Sequence, residues 1–127
     1  MPRFDKCHIK ELQEILYYSH IHDAKLESVR YEWGKNRLIV ETFNPIFDVG
    51  LNFTFHDIGI TLAISGNESG SRETIISLTA EEDFSYLQNY IQQYSSSLEN
   101  SLYLLFQMFS GDELHIVSKE VNVEIVR

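Results

Sequence analysis

Cysteine is almost absent from this sequence, and proline, glycine and long apolar runs are scarce. Cys7 is the only cysteine among 127 residues, so no internal disulfide can form and a reducing compartment is expected. Two prolines and six glycines exclude a linker rich in these residues. The most apolar run, residues 102–109, is too short to cross a bilayer, and charges interrupt the first twenty residues where a signal peptide would be apolar. These absences predict a cytoplasmic chain that does not enter a membrane.

Basic residues are scarce in the larger part of the chain. The whole sequence has 10 lysines and arginines against 19 aspartates and glutamates, and its formal net charge is −9. Residues 1–37 sum to +1, whereas residues 38–127 sum to −10. A surface of this sign repels polyanions, so nucleic acid and anionic membranes are excluded as expected partners. It would attract a basic protein, although acidic charge also simply keeps proteins in solution.

Apolar and aromatic residues are present in the amounts that a packed core requires. The hydrophobic share is 43% and the aromatic share is 13%. These values exclude a disordered tail, and the chain is long enough to bury a core without disulfides or metal. We therefore predict one domain over residues 1–127.

The first third of the chain carries the patterns of a helix and a hairpin. Apolar residues at helical spacing predict a helix from Lys6 to Tyr18 with Asp5 as its N-cap. Alternating residues then predict two strands, Lys25–Trp33 and Arg37–Phe43, joined by a turn. A break in the alternation indicates a bulge near Ser28 in the first of these strands.

The rest of the chain predicts further strands and a second helix. Residues 51–55 and 58–64 alternate in opposite phase, and the change at His56-Asp57 indicates either a tight turn or a bulge in one long bent strand. A strand over 73–78 follows. Thr79 and Glu82 match a capping box, and the apolar residues after them recur at helical spacing, so a helix is predicted near residues 80–95. Two closing strands are predicted over 102–109, where both faces are apolar, and 114–125.

The order of these elements favours the α+β class. Short connections between consecutive strands predict a mostly antiparallel sheet. The phase breaks predict that this sheet is strongly curved, or a partial barrel, and that the N-terminal helix and the helix near 80–95 pack against it.

One cluster of side chains could bind a metal ion. His20, His22 and Asp23 lie within four residues. In an extended segment, residues two positions apart point the same way, so the imidazoles of His20 and His22 could face one ion. A site would need further ligands, for which His56 and His115 are available. The alternative is that the cluster hydrogen-bonds the backbone in a connection between helix and strand. The sequence therefore offers a metal or small-ligand site at His20, His22 and Asp23 as one hypothesis.

No catalytic set is recognisable. Cys7 could act as a nucleophile near the start of the first helix, but no general base or orienting group can be assigned to it, and a small apolar role is the simpler interpretation. The sequence names no catalytic residue and no cofactor, so we expect a protein that is not an enzyme.

A short passage resembles a group of known proteins. Residues 19–26 read Ser-His-Ile-His-Asp-Ala-Lys-Leu, and a hairpin ending in Leu38-Ile39-Val40 follows. This resembles small bacterial proteins that begin with a helix, a Leu-His-Asp step and a β-hairpin, although Ile21 replaces the usual Leu. Some of those proteins are immunity proteins of toxin systems and many have no known function. The resemblance covers residues 15–43 and implies a bacterial, cytoplasmic, non-enzymatic protein in which the His-Asp pair is structural.

Together these features favour a protein-binding module, of the kind that inhibits a basic toxin domain. The metal or small-ligand site is the alternative. Apolar strand edges also leave assembly into a homo-oligomer open.

Overall fold

Seven antiparallel strands form one sheet, and a ten-residue helix packs on one of its faces. The computed structural model describes residues 3–66, 70–93 and 96–126, with the backbone alone at 96 and 97. In chain order the strands and the helix are β1 Arg3–Phe4, α1 Ile9–Tyr18, β2 Lys25–Glu32, β3 Arg37–Asn44, β4 Val49–Ile64, β5 Ile75–Glu81, β6 Leu102–Met108 and β7 Glu113–Val126. The order across the sheet is β2-β3-β4-β7-β6-β5, and β1 pairs with β7. The α+β class and the antiparallel sheet are confirmed.

The predicted N-terminal helix is confirmed, with a tighter first turn. A 3₁₀ turn, Lys6–His8, precedes α1. Asp5 stands at the start of this turn, but its side chain caps no backbone amide and accepts a hydrogen bond from His8 Nδ1 at 2.7 Å. This bond lowers the pKa of Asp5 and raises the pKa of His8. The helix begins where its apolar residues begin to be buried, at Ile9.

The predicted hairpin of β2 and β3 is confirmed. The register shifts between Leu26 and Ser28, which is the expected bulge. Trp33 leaves the strand and starts a 3₁₀ turn that ends at Asn36, whose φ of 46° is a left-handed conformation that asparagine tolerates.

The long strand β4 is continuous, so of the two expected arrangements the bulge in one bent strand is confirmed and the tight turn is wrong. Its register with β7 shifts between Ile58 and Ile60, and Asp57 has a φ of 55°. The extra residue of the bulge is Gly59, and a Cβ at this position would collide with the side chain of Leu98. Glycine therefore allows the covering segment to approach the bend closely.

The predicted helix near residues 80–95 is wrong. Ala80 and Glu81 continue β5 and pair with Leu104 and Tyr103 of β6. Thr79 is also a strand residue, and its hydroxyl donates to the Glu81 carboxylate at 2.8 Å, so no capping box forms. Residues 82–93 form turns and one 3₁₀ helix, Leu87–Asn89, while residues 94 and 95 lie outside the described ranges. Pairing with a buried strand satisfies the backbone of Ala80 and Glu81 and prevails over their local helix signal.

The sheet is strongly curved but not closed, so the prediction of a partial barrel is not confirmed. Its two edges, β2 and β5, meet at one corner only. There Lys25 forms an isolated bridge with Thr74, and the Leu26 amide donates to the Glu73 carbonyl at 2.7 Å. Strands at opposite ends of the order can meet only if the sheet curls, and the curl creates a concave inner face.

Apolar residues are buried on both faces of the central strands. On the inner face, Leu12 and Leu16 of α1 pack into the main core with Phe53 and Phe106. On the outer face, a smaller cluster joins the segment after β5 to the sheet; its buried members are Phe84, Leu87, Tyr103, Leu105 and Val117. Both faces of β6 are therefore covered, which agrees with the apolar residues that the sequence places on both faces of this strand. No helix in the described part of the chain is long and apolar enough to cross a bilayer.

Candidate functional site

The three residues of the predicted metal site do not share one partner. His22 Nδ1 donates to the Ile76 carbonyl at 2.6 Å, and its Nε2 lies 3.6 Å from Asp23 Oδ1. The ring of His20 stacks instead on Phe47, with 3.9 Å between the ring centroids. The structure thus brings His22 and Asp23 together, whereas His20 belongs to another surface.

The other two histidines do not complete the cluster. His56 pairs with Arg37 in the sheet, at the end of β3 opposite to Asn44, so a seven-residue strand step of roughly 23 Å separates it from the His20 region. His115 is fully buried on the outer face. Across residues 3–66, 70–93 and 96–126, no three His, Cys, Asp or Glu side chains are grouped so that they could hold a metal ion. Cys7, the other candidate, lies exposed on the 3₁₀ turn.

An apolar pocket opens beside His20, between the end of α1 and the inner face of the sheet. Its volume is about 350 Å³. Its apolar wall and floor consist of Ile15, Tyr18, Val49, Leu51 and Ile125. The hydroxyls of the polar lining residues Ser19 and Thr42 donate to the backbone carbonyls of Leu16 and Leu51, at 2.7 and 2.8 Å respectively. The pocket therefore offers apolar contact surface rather than a set of reactive groups.

The pocket exists because α1 ends before the inner face does. Val121, Val123 and Ile125 point to the same face of β7. The first two are buried in the core, whereas Ile125 is 61% exposed although its strand partner Leu51 is buried. The inner face of the sheet thus continues past the last turn of α1, and this end of the core is left open.

Asn44 holds the rim of the pocket in place. Its side-chain amide donates to the backbone carbonyls of His20 and His22, at 2.9 and 3.3 Å, and its Oδ1 accepts from the Ile46 amide at 2.9 Å. The residue is buried. These bonds tie the connection after α1 to the turn between β3 and β4, and so position His20 and Phe47 for their stacking contact.

Replacing Asn44 by alanine should lower the free energy of unfolding by about 1–3 kcal/mol, because the hydrogen bonds of this buried side chain to two carbonyls and one amide are lost. Chemical denaturation measures this loss. The exposed Ile46→Ala variant of the same turn is the control and should change stability by less than about 0.5 kcal/mol. Equal effects of the two substitutions would show that Asn44 does not organise the rim.

Exposed apolar side chains surround the pocket. We call this surface the end patch; it consists of Tyr18, Ile46, Phe47 and Ile125, which are between 56% and 74% exposed. Contiguous exposed apolar surface of this kind is typical of interaction sites in proteins. Aromatic residues are also enriched where partners bind most strongly.

The charged residues that adjoin the pocket-lining residues in the sequence are Glu14, Glu41, Asp48 and Glu124, which are all acidic. Glu41 forms an ion pair with Arg30 at 3.7 Å. Because successive strand residues alternate, Glu41 and Glu124 point to the sheet face opposite to Thr42 and Ile125 and thus away from the pocket. Glu14 and Asp48 are exposed, and we call these two residues the acidic rim. A partner of opposite charge would be attracted to this end of the molecule.

A second groove of similar size lies between β2 and the second half of β4. Trp33, which is 85% exposed, and Tyr31 form one side of it, and Thr61 lies opposite. Glu32 and Arg37 form an ion pair beside it. Because charges of both signs occur here, the groove does not select a partner by charge.

The sequence did not reveal a series of hydrogen-bonded side chains on the outer face of the sheet, where the segment after β5 covers it. The hydroxyl of Tyr103 and Nδ1 of His115 are 2.6 Å apart, and Nε2 of His115 lies 3.0 Å from the Glu113 carboxylate, which also accepts from Tyr90. A carboxylate can only accept, so Nε2 carries the proton and Tyr103 donates to Nδ1. Because Tyr103 and His115 are completely buried, these hydrogen bonds connect strands and are not accessible to a substrate. Alternation in β6 and β7 placed both residues on one face, which was the only signal available.

Comparison of the chain with protein-family models, with curated proteins and with solved structures finds no match.

Proposed function

We propose that this chain is a non-enzymatic protein-binding module, and that it acts in the bacterial cytoplasm as an immunity-type inhibitor of a basic toxin domain. The observation that carries the proposal is the coincidence of the end patch with the acidic rim. Apolar surface supplies affinity once it is desolvated, and charge of one sign around it selects a partner of the other sign.

The chemistry of the pocket supports a binding role. The lining hydroxyls of Ser19 and Thr42 donate to backbone carbonyls, and the neighbouring imidazole of His20 is stacked on a phenyl ring. Nucleophilic catalysis requires a nucleophile and a base within hydrogen-bond reach of each other. The arrangement at this pocket is suited to apolar contact instead.

The charge of the chain supports a basic partner. The overall net charge of −9 accelerates encounters with a cationic surface, and the acidic rim concentrates this attraction next to the apolar contact area. A homo-oligomer is less favoured at this surface, because two acidic rims would repel each other.

The proposal is tested with the product of a toxin gene adjacent to the gene of this chain. Co-expression should protect cells from the toxin, and the purified pair should form a complex. The variant Glu14→Gln/Asp48→Asn should associate at least about 5-fold more slowly at low salt, because steering by charge acts mainly on the association rate.

A control variant carries the same charge change elsewhere: Glu27→Gln/Glu73→Gln alters two carboxylates outside the acidic rim. The control variant should associate with the toxin faster than the variant in which the acidic rim is neutralised. An absence of protection together with an absence of complex formation would contradict the proposed function.

A further inference from the structure

The inference rests on the proposed function and concerns the partner segment that the pocket accepts. We propose that the pocket between α1 and the sheet receives one large aromatic side chain from the partner, and that lysine or arginine residues flank this anchor in the partner's chain.

The size of the pocket fits a single anchoring group. Its volume of about 350 Å³ is at the lower end of the range for ligand-binding pockets, which is about 300–1,000 Å³. Anchors that dominate a protein interface are typically single aromatic side chains seated in a pocket. An entire element of secondary structure would not enter a space of this size.

The walls of the pocket favour an aromatic group over an aliphatic one. Tyr18 contributes a ring to the lining, and His20, which also lines the pocket, is held face to face with Phe47. Aromatic rings pack against each other edge-to-face or offset, and such pairs add to the gain from burial alone. Asn44 fixes the backbone on both sides of the stacked pair, so the wall exists before the partner arrives.

The acidic rim determines what flanks the anchor. Glu14 and Asp48 are exposed and adjoin the lining residues Ile15 and Val49, one on α1 and one in the turn before β4. Lysine and arginine side chains next to the anchor would reach these carboxylates, while their aliphatic stems cover the apolar end patch. Tyr18 and Phe47 also offer ring faces that attract cations.

Three blocked pentapeptides test the proposal on the purified chain: Lys-Gly-Trp-Gly-Lys, Glu-Gly-Trp-Gly-Glu and Lys-Gly-Ala-Gly-Lys. Each is titrated against ¹⁵N-labelled protein, and binding is followed by amide chemical shifts. We expect the first peptide to shift the amides of Ile15, Leu51 and Ile125 and to bind at least about 5-fold more tightly than the second at low salt. Near 1 M salt, where the screening length is about 3 Å, this ratio should approach one. The alanine peptide should not produce these shifts.

A pair of matched variants locates the site. Ile125→Thr shortens an exposed apolar side chain in the pocket and should weaken binding of the first peptide at least about 3-fold. Val29→Thr makes a comparable change at an exposed position on β2, outside the pocket, and should leave binding unchanged.

Several results would overturn the inference: equal binding of the lysine and glutamate peptides, binding of the alanine peptide at the same residues, or shifts confined to the groove at Trp33. Self-association of the chain at this surface, seen as concentration-dependent shifts without peptide, would overturn it as well. The proposed function is decided separately by protection and by complex formation with the toxin. A chain that protects cells but does not discriminate between the peptides would retain the function and lose the aromatic anchor.

Discussion

Replacing Leu87 by alanine should lower the free energy of unfolding by about 2–5 kcal/mol, although this residue lies in a three-residue 3₁₀ helix outside α1 and the strands. Leu87 is fully buried between Phe84 and the outer face of the sheet, in contact with the cluster that includes Leu105 and Val117. Truncation removes apolar contacts and leaves a cavity that this turn-rich segment can fill only in part. Urea denaturation followed by tryptophan fluorescence measures the loss.

The neighbouring Tyr86→Ala variant is the matched control. Tyr86 is 51% exposed, so its truncation should change stability by much less than that of Leu87. Far-UV circular dichroism of both variants should remain that of the native chain, because neither substitution lies in α1 or in a strand. A loss below about 1 kcal/mol for Leu87→Ala would show that the segment after β5 does not cover the sheet.

The variant Tyr103→Phe should lower the free energy of unfolding by about 1–3 kcal/mol at neutral pH. The substitution preserves the ring but removes the hydroxyl 2.6 Å from His115 Nδ1, and so leaves a buried nitrogen without its donor. Tyr90→Phe is the control. Tyr90 is 49% exposed, and water can replace its hydrogen bond to Glu113. The free energy of unfolding of Tyr90→Phe should therefore fall by about 1 kcal/mol or less.

The effect of Tyr103→Phe should depend on pH in one direction. Burial, and then the nearby carboxylates of Glu81 and Glu113, raise the pKa of Tyr103 above its ordinary value of about 10. Above that pH the phenol ionises in the unfolded chain but stays protonated in the folded one, so unfolding becomes more favourable. The stability advantage of the native chain over Tyr103→Phe should therefore shrink as the pH rises above about 10. An advantage that is constant up to pH 11 would contradict the buried environment of Tyr103.

Local patterns were sufficient wherever neighbours in sequence are also neighbours in space. The hairpin of β2 and β3 was predictable because its strands are adjacent in the chain, and the bulge at Ser28 follows from one break in alternation. The break near His56 was predictable in the same way, but the choice between a tight turn and a bulge depends on the pairing of β4 with β7. The helix near residues 80–95 failed for the opposite reason, since Ala80 and Glu81 are held in a strand by residues more than twenty positions away.

The candidate site was only partly predictable. His20 was singled out from its spacing to His22, and it does line the pocket, but its partner is Phe47 rather than the neighbouring histidine. No periodicity in the sequence relates Ile15, Leu51 and Ile125, because helix length and strand pairing together decide which end of the core remains open. The role of Asn44 also depends on a contact across 24 residues.

By itself, the sequence determined the strand-rich composition of this protein, its N-terminal helix, the alternation that makes two faces of the sheet apolar, and the acidic charge of residues 38–127. The tertiary structure alone decided that the apolar residues after β5 cover the sheet without a helix, that Tyr103 meets His115, and that α1 leaves a pocket beside an acidic rim. The physical reason is that burial preferences and charge belong to individual residues and can be read along the chain. Backbone pairing and the closure of a core depend on segments that are far apart in sequence.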